Sequence, residues 1–212
     1  MTDRFPDYDV LKKRDTPSWN EQTRHVVDAR IAVGEPDVLT EPQRAILRKL
    51  VDRIVPQPEN RAPVNATALV LQKIAANRGD GFRNARMPHL REAWERGLDA
   101  IDSEARERFG TGFAALDYAQ ADAVIAAIQK GDVQSDAWDN IPVDLFWSDR
   151  LIPDIVSAYY AHPSAWSAMG FGGPASPRGY VRLEANRRDP WEAAERADGH
   201  LIPAEERNSH VG

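Results

Sequence analysis

Between Thr40 and Pro56 the large apolar residues fall at Ile46, Leu47, Leu50, Val51 and Ile54. Spacings of one, three, one and three put all five on one stripe of an α-helix. A stripe of this kind has to be covered by another, so a chain that repeats it is restricted to helix packed on helix. The punctuation around it agrees: Thr40 with Gln43 three residues on is a capping box, and Pro56 and Pro58 stop the helix.

The pattern recurs along the chain. Ser18 with Glu21 reads as a capping box for a first helix carrying Val26, Val27, Ala29 and Ile31 toward Gly34. Leu69, Val70 and Ile74 mark a helix within 64–76, closed by Gly79 to Gly81. Pro88 opens the next, whose face is Leu90, Trp94, Leu98 and Ile101. Asp117 with Gln120 starts another, through Val124, Ile125 and Ile128 to a terminal Gly131. From Pro142 to Ala161 the helical period persists, with Pro153 expected as a kink. No strand ladder competes. The expected fold is all-α: an extended N-terminal arm (1–15), a compact multi-helix domain (16–162), and a Gly/Pro-rich docking loop with a C-terminal tail (163–212).

Composition narrows the function classes. With 33 acidic against 27 basic side chains in 212 residues, the net charge of −6 gives an average field that repels phosphate backbones and argues against a general nucleic-acid binder, while leaving room for a local basic patch. Zero cysteines remove thiol nucleophiles, Cys-ligated zinc and iron–sulfur clusters from this chain. The longest apolar run, Ala123 to Ile128, is far short of a membrane span, and the first thirty residues contain no apolar export core. These readings make a cytoplasmic chain without membrane insertion the expectation.

Catalytic patterns are sparse. His25, His89, His162, His200 and His210 are scattered and none has metal-ligand spacing. His162 draws interest as the end of a predicted helix, where a cation is favoured. Gly170, Gly172 and Ala175 imitate a dinucleotide fingerprint, but they follow a helix instead of a strand, and Pro174 and Pro177 obstruct the helix a phosphate would need. Aromatic mass, by contrast, is concentrated. Nine of the seventeen Phe, Trp and Tyr residues lie between Trp138 and Trp191, several beside GFGGPASPRGY (170–180), with four Gly and two Pro in eleven positions. Large aromatics beside adaptable backbone suit the core of a protein interface; the alternative is a lid folded over the chain's own helices.

Two blocks carry a resemblance. LTEPQRAILRKLVDRIVPQP (39–58) and AYYAHPSAWSAMGFGGPASPRGYVRL (158–183) resemble the gluconate 2-dehydrogenase subunit 3 family, and the likeness extends over roughly residues 35–190. The resemblance implies a helical, non-catalytic accessory subunit that binds and stabilises a large FAD-containing dehydrogenase subunit of the glucose-methanol-choline (GMC) type, acting on a sugar, sugar acid or polyol. FAD would sit on that partner and no cofactor on this chain, with room for a cytochrome c subunit in the assembly. Many family members carry a twin-arginine signal, which MTDRFPDYDVLKKRDTPSW does not contain. The expected partner-binding residues are Tyr159, Tyr160, His162, Trp166, Phe171, Gly172, Gly173, Pro174, Pro177, Arg178 and Tyr180; no catalytic, cofactor or metal residue is assigned. Two other readings stand beside this one: a stand-alone enzyme with a site near His162 and the 170–180 loop, and a helical regulatory or binding module.

Overall fold

The computed structural model describes residues 5–16, 18–58, 60–79, 81–175 and 179. Its helices are α1 (Glu21–Ala32), α2 (Glu41–Ile54), α3 (Ala66–Ala76), α4 (Leu90–Phe109), α5 (Tyr118–Lys130), α6 (Val143–Phe146), α7 (Ile152–Tyr160) and α8 (Pro163–Met169). Short 3-10 turns lie at Val10–Lys13, Phe113–Ala115 and Asp136–Asn140, and no β-strand occurs among the described residues. The fold is all-α. Contacts divide the chain into two compact units, a helical unit of Gly34–Pro56 with Ala66–Ala158, and a terminal unit of Met1–Val33, Gln57–Asn65 and Tyr159–Gly212. The arm and α1 thus fall in one unit with α8.

In the helical unit the sequence stripes become the core. Ile46, Leu47, Leu50 and Val51 of α2 are buried, as are Leu90, Trp94, Leu98 and Ile101 of α4. Both capping boxes form: Thr40 and Gln43 at α2, Asp117 and Gln120 at α5, each satisfying backbone N–H groups that helical bonding leaves over. Gly131 ends α5 in the left-handed region at φ 70°. The ring of Phe146 stands edge-on to Trp94, centroids 5.6 Å apart, and lies against Gly97, where a Cβ would meet the ring at 2.2 Å. Gly97 is therefore a packing requirement, since any side chain there displaces a core phenylalanine.

Two buried carboxylates organise this unit. Asp154 accepts from Lys73 Nζ at 2.8 Å and Trp94 Nε1 at 2.9 Å, so neither the indole nor the carboxylate is left unpaired. Glu104, fully buried, accepts from the backbone N–H groups of Gln134 and Ser135 and from Arg108 Nε at 2.6 Å. Burial is the largest influence on Glu104 and acts to raise its pKa, yet the Ser135, Gln134 and Arg108 donors together hold it below the ordinary value.

Just before Pro153, where a kink is expected, lies a π-helical turn, Trp147–Leu151, between α6 and α7. A proline cannot donate to the carbonyl four residues earlier, and here that carbonyl, Asp149 O, accepts from Arg150 Nη1 at 2.6 Å. The wider turn absorbs the missing bond.

The terminal unit is assembled differently. The cap of α1 is Asn20, whose side chain accepts from Thr23 N at 2.8 Å; Ser18, expected in that role, is buried two residues earlier. Of the apolar residues expected to hold α1 down, only Val27 is buried, while Val26 and Ile31 are exposed, because EQTRHVVDARIA spreads them around the helix instead of along a stripe. Asn65 Nδ2 donates to the carbonyls of Arg30, Ile31 and Val33 and so closes the C-terminal end of α1. The arm contributes to a core: Phe5, Tyr8 and Val10 cluster with Trp19, Val27 and Trp166. Arg61 donates to the carbonyls of Tyr8 and Phe5 and pins that arm in place.

Candidate functional site

The segment expected to open the docking loop begins as a helix. Pro163 at the first position and Gly170 at the end, φ 73°, bound α8, the Pro-start and Gly-stop arrangement that backbone chemistry favours. His162 caps it: its Nδ1 accepts from Ser164 N at 3.1 Å, and the ring is 4% exposed. The sequence reading placed His162 at a helix C-terminus, where a cation is welcome; as an N-cap it must offer a lone pair, and burial holds its pKa below the ordinary histidine value. A ring sealed from solvent, with its acceptor nitrogen engaged by the backbone, is not poised as a general base.

Trp166 links the elements of this region. It is 5% exposed, donates from Nε1 to Tyr160 O at 2.5 Å, and meets the Phe171 ring edge-on with centroids 6.1 Å apart. Phe171 N donates back to Trp166 O at 2.8 Å. Tyr159 is buried, its hydroxyl pKa raised by burial and by the adjacent Tyr160 phenol, and its ring stands edge-on to Tyr160 at 5.1 Å. The side chains that reach solvent are Tyr160, Met169 and Phe171, each 43–44% exposed. Half-covered, wedged aromatics of this kind lose little freedom when a second surface covers them.

The glycine-rich loop turns inward as far as it is described. Gly172 O accepts from Lys13 Nζ at 2.5 Å, Pro174 O accepts from Trp19 Nε1 at 2.9 Å, and Val10 N donates to Ser167 Oγ at 3.0 Å. Gly170 lies so close to the arm that a Cβ would stand 2.4 Å from the Phe5 ring, and Gly173, also at positive φ, is buried against Trp166. The loop carbonyls therefore bond within the chain, and the fingerprint-like glycines leave a helix toward the arm without forming a phosphate cradle.

Of the residues expected to touch a partner, Tyr159, His162, Trp166 and Gly173 are buried, Gly172 and Pro174 are half-buried, and Tyr160 and Phe171 are exposed. Pro177, Arg178 and Tyr180 lie outside the described residues. Met169, at the end of α8, is also exposed; the Pro163 to Gly170 punctuation marks the helix that carries it, within a segment the sequence presents as loop. A neighbouring cleft of about 400 Å³ in the same unit is lined by Asp9, Lys12, Asn60, Arg61 and Ser164. Its Asp9 and Arg61 hold backbone groups of the arm. No cluster of three potential metal-ligating side chains occurs among the described residues.

Residues 41–173, well over half of the chain, match the family described as gluconate 2-dehydrogenase subunit 3. The chain belongs to that family. No curated protein and no solved structure matches it. The matched stretch of the subunit 3 family runs from the first turn of α2 to Gly173, and so takes in α8 and the Tyr160, Met169 and Phe171 patch. Among the described residues no helix is long and apolar enough to cross a membrane.

Proposed function

We propose that this chain is the non-catalytic accessory subunit of a dehydrogenase complex, and that it binds and stabilises a large FAD-containing subunit of the GMC type. The observation that carries the reading is the exposure of Tyr160, Met169 and Phe171 in the segment around Trp166. That segment lies within the stretch matched to the subunit 3 family, and Trp166 braces it through one hydrogen bond and one edge-on ring contact. Tyr160 and Phe171, half-open and tied to a buried tryptophan, supply apolar material for the centre of an interface, with Met169 exposed at the end of the same helix. Binding there stabilises the flavoprotein by mass action, since the patch recognises its folded form only. Flavin chemistry belongs to the partner; this chain's part is to hold and protect it.

Affinity purification of the tagged chain from its native host, with a visible spectrum of the eluate, tests the reading. A stoichiometric large partner with a yellow flavin spectrum is expected. The double variant Tyr160→Ser, Phe171→Ser should lower flavin per chain by about tenfold or more while leaving helicity unchanged, because both side chains are already exposed. A colourless eluate holding this chain alone would count against the accessory role, and an unaffected double variant would move the interface elsewhere.

A further inference from the structure

The loop between α3 and α4 in the helical unit concentrates positive charge in an acidic protein. Residues 77–91 hold Arg78, Arg83, Arg86 and Arg91 against the single acid Asp80, in a chain of net charge −6. The ends of the loop are tied together: Asn77 Oδ1 accepts from Arg91 N at 3.0 Å, and Arg91 Nη2 donates to Ala75 O at 3.1 Å. Met87 is buried at its base, with its carbonyl engaged by Arg83. From this fixed base the tip stands clear. Phe82 is 93% exposed, and no atom lies within 4 Å of where a Cβ would sit on Gly79 or Gly81.

Partly exposed apolar residues such as Val26 or Phe109 keep most of their surface covered and need no explanation. Phe82 keeps almost none. Its neighbours Gly81, Arg83, Ala85 and Arg86 are all exposed, so it is not the centre of a contiguous apolar patch such as a protein hot spot requires. A lone ring on a tied loop, with Arg78, Arg83 and Arg86 within four residues of it in sequence, matches what a bilayer surface takes: an aromatic at the headgroup boundary and cations on lipid phosphates. Arg86 lies 3.5 Å from Asp144, while Arg78 makes no hydrogen bond or ion pair among the described residues. The chain's distributed negative charge opposes approach only weakly, because salt screens it over about 8 Å.

We propose that the loop between α3 and α4 is a membrane-surface anchor, in which Phe82 enters the interface of an anionic bilayer and Arg78, Arg83 and Arg86 contact its phosphates. Surface anchoring of this kind needs no membrane-spanning helix. Co-sedimentation of the purified full chain with vesicles, either equimolar phosphatidylcholine and phosphatidylglycerol or phosphatidylcholine alone, tests it without any partner protein. Binding to the anionic vesicles alone is expected, weakening as salt is raised. Phe82→Ala should lower the partition coefficient about tenfold, and Arg78→Gln should lower it about fivefold, with circular dichroism unchanged in both. The proposal is overturned by no sedimentation with anionic vesicles, by equal binding to both kinds, or by Phe82→Ala binding as the parent does. Loss of flavoprotein yield in Phe82→Ala without vesicle binding would also overturn it, making the loop a protein contact instead.

Discussion

The helical unit and the terminal unit reach stability by opposite routes. In the first, each helix carries its own instructions: a cap, a stripe and a stop within some fifteen residues, with Trp94, Phe146 and Gly97 interlocking the stripes. In the second, helices are short or weakly patterned, and the joints are side chain to backbone bonds between residues more than 150 positions apart: Val10 to Ser167, Lys13 to Gly172, Trp19 to Pro174. A unit whose core is set by local pattern tolerates surface change, whereas one assembled from distant strands of chain can be reshaped by a single bond, and it is this unit that displays the aromatic patch.

The sharpest way to break that comparison is at Trp166. Trp166→Ala removes a buried ring, the Tyr160 bond and the support of Phe171 together, and should destabilise the terminal unit by about 3–5 kcal/mol, with helicity lost at residues outside α2–α5 and flavoprotein capture abolished. Hydrogen exchange resolves whether the loss stays in that unit, as expected, or spreads through the chain.

Acid should separate the units as well. His162 in the terminal unit has a folded pKa below its ordinary 6.5, so its contribution is present above that value and erodes as pH falls beneath it. Glu104 in the helical unit has a folded pKa below its ordinary 4.5, so its contribution persists to lower pH and is lost only as pH drops through the folded value. Exchange protection in the terminal unit should therefore fall first on acidification. Glu104→Gln should cost the helical unit about 2 kcal/mol near neutral pH and flatten its acid limb; simultaneous loss of both units at one pH would contradict the separation.

A smaller effect sharpens the contrast with two glycines of nearly equal conformation. Gly131 at φ 70° faces open space, so Gly131→Ala should cost only the backbone penalty, about 1 kcal/mol. Gly170 at φ 73° lies against Phe5, so Gly170→Ala should add overpacking and cost about 2–3 kcal/mol. Urea midpoints of the two variants measure how much tighter the arm seam is than a free helix end.

The helical unit was legible in the sequence because its determinants are local: Thr40 with Gln43, Asp117 with Gln120, Gly131, and the α4 face all stand where periodicity and capping chemistry place them. The π-turn was not, since Pro153 announces a missing donor without saying whether the helix bends or widens around it. The terminal unit was legible only in its residue types. Trp166 and the glycines could be singled out, but nothing in a linear string shows that Lys13 and Trp19 take the loop's carbonyls, or that Trp166 is a brace and Phe171 the exposed surface. Long-range side chain to backbone bonds leave no period to read.

The seam between arm and loop also sets an order of events during synthesis. Translation supplies about 5–20 residues per second, and Val10, Lys13 and Trp19 leave the ribosome long before Ser167, Gly172 and Pro174 exist. The arm must wait, uncommitted, while the helical unit can already fold. A chain cut short before Pro174 would lack the last of these bonds, so the seam is complete only in a nascent chain that has grown past that point. The seam thus closes last, after every residue of the helical unit has already been made.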